Sequence, residues 1–138
     1  MGIQLAKDSI DIGIVVTDIK ASMAFYCDTL GFTHIDTFPM PGGTSMERLQ
    51  CGTSVVKLLT ASESSPPAPA VPGGIPGAFG YRYFTMTVSN LRDVVDACSA
   101  AGHTITVPVT ELRPGVLIAI VEDPDGNWVE FVEFAEMN

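Results

Sequence analysis

The stretch DIGIVVTDIKASMAFYCDTLGF at 11–32 decides the fold. Ile12, Ile14 and Val16, with Ile10 before them, alternate with Asp11, Gly13 and Val15, the period-two pattern of a strand with one apolar face. Asp18 then stands at an N-cap position. Ile19, Met23, Tyr26 and Leu30 recur at spacings of three and four until Gly31 stops the run, which predicts a helix over roughly 19–30.

Downstream lie three extended segments, Phe32–Phe38, Ser45–Cys51 and Thr53–Thr60, separated by Pro-Gly-Gly at 41–43 and by Gly52. The order is therefore β-α-β-β-β. SSPPAPAVPGGIPGAFG at 64–80 follows, and its five prolines and four glycines deny the backbone both helix and ladder hydrogen bonds. It reads as a linker, or as a lid whose apolar tip is Ile75 to Phe79.

The second half repeats the order. Tyr81–Val88 is a strand, Asn90 an N-cap, Leu91–Ala101 a helix and Gly102 its stop; His103–Val109, Val116–Glu122 and Asn127–Phe134 are strands. Pro108, Arg113-Pro114-Gly115 and the turn Asp123-Pro124-Asp125-Gly126 punctuate them. Val16-Thr17-Asp18-Ile19 aligns on Val88-Ser89-Asn90-Leu91 at an offset of 72, and Gly31 meets Gly102 after a one-residue adjustment within the helix. An internal duplication accounts for this. The expectation is one α+β domain over 1–138, with modules at about 9–60 and 81–134 joined by the Pro/Gly-rich segment 64–80.

Composition narrows the function. The 138 residues suit a single hydrophobic core, and 46% hydrophobic against 17% charged residues argues against global disorder. A net charge of -9 repels phosphate backbones and anionic membrane surfaces, so neither nucleic acid nor membrane is an expected partner. The opening MGIQLAKDSI lacks the basic start and apolar run of a secretory signal, and a cytoplasmic location is expected. Cys27, Cys51 and Cys98 lack metal or redox spacing and read as small buried apolar residues.

If each helix covers one face of its own sheet, the opposite faces meet around a cleft suited to a small ligand. Alternation assigns Asp11 to that face in the first strand and Lys57 in the fourth, where it interrupts the apolar run Val55 to Leu59. In the second module it assigns Tyr83, which is Asp11 plus 72, and Glu130, which is Lys57 plus 73. His34, sharing a face with Asp36 and Phe38, is a further candidate. So are Arg48 for a ligand carboxylate and Phe38, Tyr81 and Trp128 for an apolar pocket.

GIVVTDIKASMAFYCDTLGF at 13–32 resembles the opening signature of the glyoxalase, bleomycin-resistance and dioxygenase proteins of the vicinal oxygen chelate superfamily, and EDPDGNWVEFVE at 122–133 resembles the closing one. The resemblance spans nearly the whole chain. It implies a half-barrel cleft, a homodimer, and chemistry on a carbonyl substrate through an enolate, as in a lyase or isomerase. In metal-dependent members the four equivalent positions hold His, then Glu, Gln or His, then His, then Glu, around a divalent cation.

Here they read Asp11, Lys57, Tyr83 and Glu130. An ammonium has three donors and no lone pair, so Lys57 disfavours a metal, and no cofactor is expected. The first expectation is metal-free proton transfer, with Lys57 stabilising an oxyanion or enolate and a carboxylate or Tyr83 moving the proton. An ion pair that merely fills a lapsed metal site is the bland rival. A Schiff base on Lys57 is opposed by its neighbouring carboxylate. From other classes come a non-catalytic protein that sequesters an antibiotic or aromatic compound and, last, an extradiol dioxygenase, which needs an iron site.

Overall fold

Asp11–Val16 forms β1 with Ile12 and Ile14 part-buried, Val16 buried, and Asp11, Gly13 and Val15 on the exposed side, as alternation requires. In the computed structural model, which describes residues 2–135, there follow α1 (Ile19–Met23), a π-helical segment (Ala24–Thr29), β2 (Thr33–Pro39), a 3-10 turn (Pro41–Gly43), β3 (Ser45–Cys51) and β4 (Ser54–Thr60). The second set is β5 (Tyr83–Thr87), α2 (Leu91–Ala100), β6 (Ile105–Arg113), β7 (Val116–Glu122) and β8 (Trp128–Phe134). The class is α+β with two βαβββ modules. No helix among the described residues is long and apolar enough to cross a membrane.

The chain divides into two compact units after Ala68. The first holds a sheet of order β1-β4-β3-β2 and the second a sheet of order β5-β8-β7-β6. In each, the first strand runs parallel to the last and the remaining pairs are antiparallel. The duplication holds to the residue: Asp11 faces Val55 as Tyr83 faces Trp128, and Gly13 faces Lys57 as Thr85 faces Glu130.

The first helix begins where Asp18 Oδ1 accepts from the amides of Lys20 and Ala21 at 3.0 and 3.1 Å. It does not stay α-helical to residue 30. Leu30 N donates to Phe25 O at 3.0 Å, an i to i-5 bond. A π-turn is how a helix absorbs one inserted residue while keeping its flanking faces aligned. This locates the one-residue adjustment between the copies in Ala24–Thr29, the only helical difference needed to carry Gly31 one step farther from its cap than Gly102. The segment buries Phe25 and Tyr26, whose rings meet edge-on at 4.8 Å, and Val16, Phe32, Leu49, Val55, Val56 and Leu58 are buried with them in this unit.

In the second unit α2 buries Leu91, Val95 and Cys98, and the sheet buries Ala119, Val121, Val129 and Phe131. Asn90 occupies the N-cap position, but its side chain makes no cap bond. Glu133 on β8 does that work instead, with Oε1 accepting from Leu91 N at 2.8 Å. β6 also departs from expectation, since Pro108 lies within it rather than ending it. β6 is an edge strand and its register slips between Val107 and Thr110, so the missing amide breaks no regular ladder. Of the cysteines, Cys98 is buried while Cys27 and Cys51 are only part-buried, and burial pushes the Cys98 thiol up to about 11.

From Pro69 onward the Pro/Gly-rich segment belongs to the second unit. Arg82 ties it down, donating through Nε to Gly74 O at 2.6 Å and through Nη2 to the carbonyls of Val71 and Pro72 at 2.7 and 3.3 Å. Gly74, at φ +57, lies so close to the Trp128 indole that a Cβ there would be driven into the ring.

Candidate functional site

Parallel pairing of β1 with β4 brings Asp11 and Lys57 onto one face, as predicted, with Lys57 Nζ 3.7 Å from Asp11 Oδ2. That is longer than an ammonium–carboxylate hydrogen bond. The other oxygen, Oδ1, accepts from Lys7 Nζ at 2.7 Å. The Lys7 hydrogen bond, more than the charge of Lys57, holds the Asp11 carboxyl below its ordinary value of 3.8. Lys7 was not legible as a site residue, because it precedes β1 and carries no strand alternation.

Lys57 is flanked by Gly13 on β1 and by Arg48 on β3. Two cations directly opposed across an antiparallel pair repel unless each is compensated. Arg48 is compensated by Asp36 on β2: Nε and Nη2 donate to the two carboxylate oxygens at 2.8 Å each. The Arg48 guanidinium holds the Asp36 carboxyl below its ordinary range and is itself raised by that hydrogen bond. The guanidinium also lies 5.5 Å from the centroid of the Phe38 ring. One row thus crosses all four strands as Gly13, Lys57, Arg48 and Asp36.

His34 is not in this set. β2 carries a bulge at Ile35, so that His34 faces Leu49 while Asp36 faces Arg48. An extra residue reverses the alternation, and His34 shares the face of Leu49 and Glu47 rather than that of Asp36 and Phe38. There its Nε2 lies 3.1 Å from Glu47 Oε1, which also accepts from Thr37 Oγ1 at 2.7 Å. A groove on this helix-bearing side is lined by Met23, Cys27, His34 and Glu47 among others.

In the second unit Tyr83, Thr85 and Thr87 are exposed along β5 and Glu130 is half-buried on β8. Glu130 Oε1 accepts from Thr85 Oγ1 at 2.6 Å. Thr85 is the duplicate of Gly13, a correspondence that the offset of 72 already contained. Trp128, beside Tyr83, is half-buried beneath Gly74, and its Nε1 is buried without a hydrogen-bond partner among the described residues. Tyr81 lies before β5 and is fully exposed.

The closing turn is built by Asp123, buried in the second unit. Its Oδ1 accepts from the amides of Asp125 and Asn127 at 2.9 Å each, and Oδ2 from Asn127 Nδ2 at 3.0 Å. These oxygens hold the turn that launches β8.

The donor chemistry of the first unit does not fit a divalent cation. Where an acceptor would be needed stands the Lys57 ammonium, and Asp11, the one carboxylate beside it, already faces two ammonium groups. Among the described residues, no three His, Cys, Asp or Glu side chains gather in either unit as a metal-ligand set.

A duplicated βαβββ chain with a parallel outer pair in each four-stranded sheet defines the glyoxalase-like class of α+β proteins. The chain belongs to the Glyoxalase/Bleomycin resistance protein/Dioxygenase superfamily, whose family model matches residues 9–131. Among solved structures it is similar to a glyoxalase family protein from Bacillus cereus (TM-score 0.81, 15% identity, 96% of each chain covered). A glyoxalase family protein from Enterococcus faecalis matches at TM-score 0.66 and 21% identity over 94% of this chain and 97% of that one. The trypanothione-dependent glyoxalase I of Leishmania major matches at TM-score 0.69 and 19% identity over 89% and 84%. These likenesses carry the fold. No curated protein sequence matches the chain significantly.

Proposed function

We propose that this chain binds a carbonyl-bearing small molecule and moves a proton through an enolate, as a lyase or isomerase, without a metal. The observation that carries the reading is the Lys57 ammonium on the open face of the first sheet, 3.7 Å from its nearest carboxylate and with donors to spare. In the proposed step a base removes a proton from the carbon next to the carbonyl. The C–H electron pair becomes the enolate C=C bond, the carbonyl π pair moves onto oxygen, and Lys57 stabilises that charge. Returning the proton to another carbon or face gives isomerisation or epimerisation, and loss of a group from the neighbouring carbon gives lyase cleavage.

Asp11, on the same sheet face as Lys57, is the base in this proposal. Its Oδ1 is engaged by Lys7, which leaves Oδ2 as the basic atom. The family membership supports the reaction class.

Exposed aromatic rings favour a second reading, sequestration of an aromatic compound without turnover. Phe38 and Tyr83 are about half exposed on the sheet faces that carry the charged residues. Proton exchange in heavy water separates the two. The enzyme reading expects deuterium to enter the carbon beside a bound carbonyl, with Lys57→Met and Asp11→Asn each slowing entry by about a hundredfold. Tight binding with no exchange in the native protein would leave only sequestration.

A further inference from the structure

The register of the first sheet sets two rows side by side on one face. The first is Gly13, Lys57, Arg48 and Asp36. Two residues along each strand lies the second, Val15, Leu59, Met46 and Phe38, which is apolar throughout. Val15 is 56% exposed and Phe38 45%, although a strand face that merely needed solvating would place polar groups there.

Charge on the polar row is unbalanced. Lys7, Arg48 and Lys57 are three of the chain's seven basic residues, and among the described residues their ion pairs are with Asp11 and Asp36. In a protein of net charge -9 this is a local positive excess. Arg48 spends Nε and Nη2 on Asp36, which leaves Nη1 for a ligand, and among the described residues the nearest carboxylate oxygen to Lys57 Nζ is Asp11 Oδ2 at 3.7 Å. Directly opposed residues on antiparallel strands have Cβ atoms only about 5 Å apart, so both cationic heads can reach one small anion. Gly13 leaves the space on the other side of Lys57 open, since a Cβ there would meet only Leu59 Cδ1 at 3.6 Å.

We infer that the ligand is an amphipathic carboxylate with a carbonyl on the adjoining carbon, an α-keto acid. Its carboxylate is held by Arg48 with Lys57, its carbonyl oxygen by Lys57, and its apolar body lies on the row from Val15 to Phe38. This deepens the proposed function and rests on its assignment of Lys57 to the carbonyl. A single site then both selects the anion and stabilises the enolate.

The test is a calorimetric and NMR titration of the purified protein with α-ketoisovalerate, its neutral methyl ester, and isovalerate, which lacks the keto group. The keto acid is expected to bind at least about tenfold more tightly than either analogue, with the side-chain N–H signals of Lys57 and Arg48 shifting together. Arg48→Gln is expected to remove the preference for the acid over the ester. Gly13→Val should keep the fold, because the site is a strand with ordinary contacts, yet lose binding. Equal affinity for acid and ester, no binding of the keto acid at millimolar concentration, or shifts that bypass Lys57 and Arg48 would overturn the inference. Acid-selective binding without deuterium exchange leaves it standing and defeats the proton-transfer reading alone.

Discussion

Lys57 and Arg48 stand directly opposite each other across the β3–β4 pair, yet each leans on a different carboxylate: Lys57 on Asp11 of β1, and Arg48 on Asp36 of β2. The arrangement keeps two like charges adjacent on one face without folding either away. Its counter-ions lie at the flanks, on β1 and β2.

The two contacts of Asp11 are unequal, and titration resolves them. Carbon NMR of the carboxyl is expected to show a value below 3.8, rising toward it more in Lys7→Met than in Lys57→Met, because the Lys7 hydrogen bond is the larger cause. A larger rise in Lys57→Met would reverse that ranking.

Asp36 carries a pH dependence of defined sign. Its carboxyl is held low by Arg48, so the stabilisation is complete above the unfolded value of 3.8 and is lost as pH falls through the lower folded value. Asp36→Asn should therefore be slightly less stable than the native chain in the neutral range and flatten the acid limb of the unfolding profile, the two profiles converging below the folded value. An Asp36→Asn profile that keeps the full acid slope would contradict this.

Gly74 and Arg82 fix the Pro/Gly-rich segment against Trp128. Gly74→Ala places a methyl group in the indole and demands a left-handed backbone from a residue with a Cβ, at an expected cost of about 2 kcal/mol. Trp128 is the sole tryptophan, so its emission reports the site directly. Gly74→Ala and Arg82→Met are both expected to shift it to the red, and unchanged emission in both would mean that the contact is not held in solution.

Glu133 caps α2 from a neighbouring strand. Glu133→Ala should destabilise the protein by about 1 kcal/mol in urea unfolding, while Asn90→Ala, whose side chain makes no cap bond, should cost less. The opposite order would return the capping role to Asn90.

Much of this was legible in the sequence, wherever one local period ran unbroken. β1 alternates cleanly and Lys57 is the one charged side chain in the apolar run Val55 to Leu59, so Asp11 and Lys57 could be assigned to one face from spacing, and the offset of 72 carried Tyr83 into register with Trp128. His34 failed because one inserted residue, Ile35, reverses the alternation, and nothing in Thr33 to Phe38 marks a bulge. The first helix occupies its expected residues, but one extra residue converts Ala24–Thr29 to a π-helix, for which the mismatch of Gly31 and Gly102 was a usable signal. Arg82, Glu133 and Lys7 were missed for a different reason. Each acts on backbone or side chains outside its own strand pattern, and hydrogen bonds of that kind leave no periodic trace.

In the proposed site the positive charge serving the ligand is carried by Lys57. Its most direct measurement is ligand affinity, by calorimetry with α-ketoisovalerate, for chelator-treated native protein beside untreated protein and Lys57→Met. The account predicts the same affinity with and without chelation and a loss of at least about tenfold in Lys57→Met. Affinity lost on chelation and restored by one equivalent of a divalent ion, with Lys57→Met binding as well as the native chain, would contradict it.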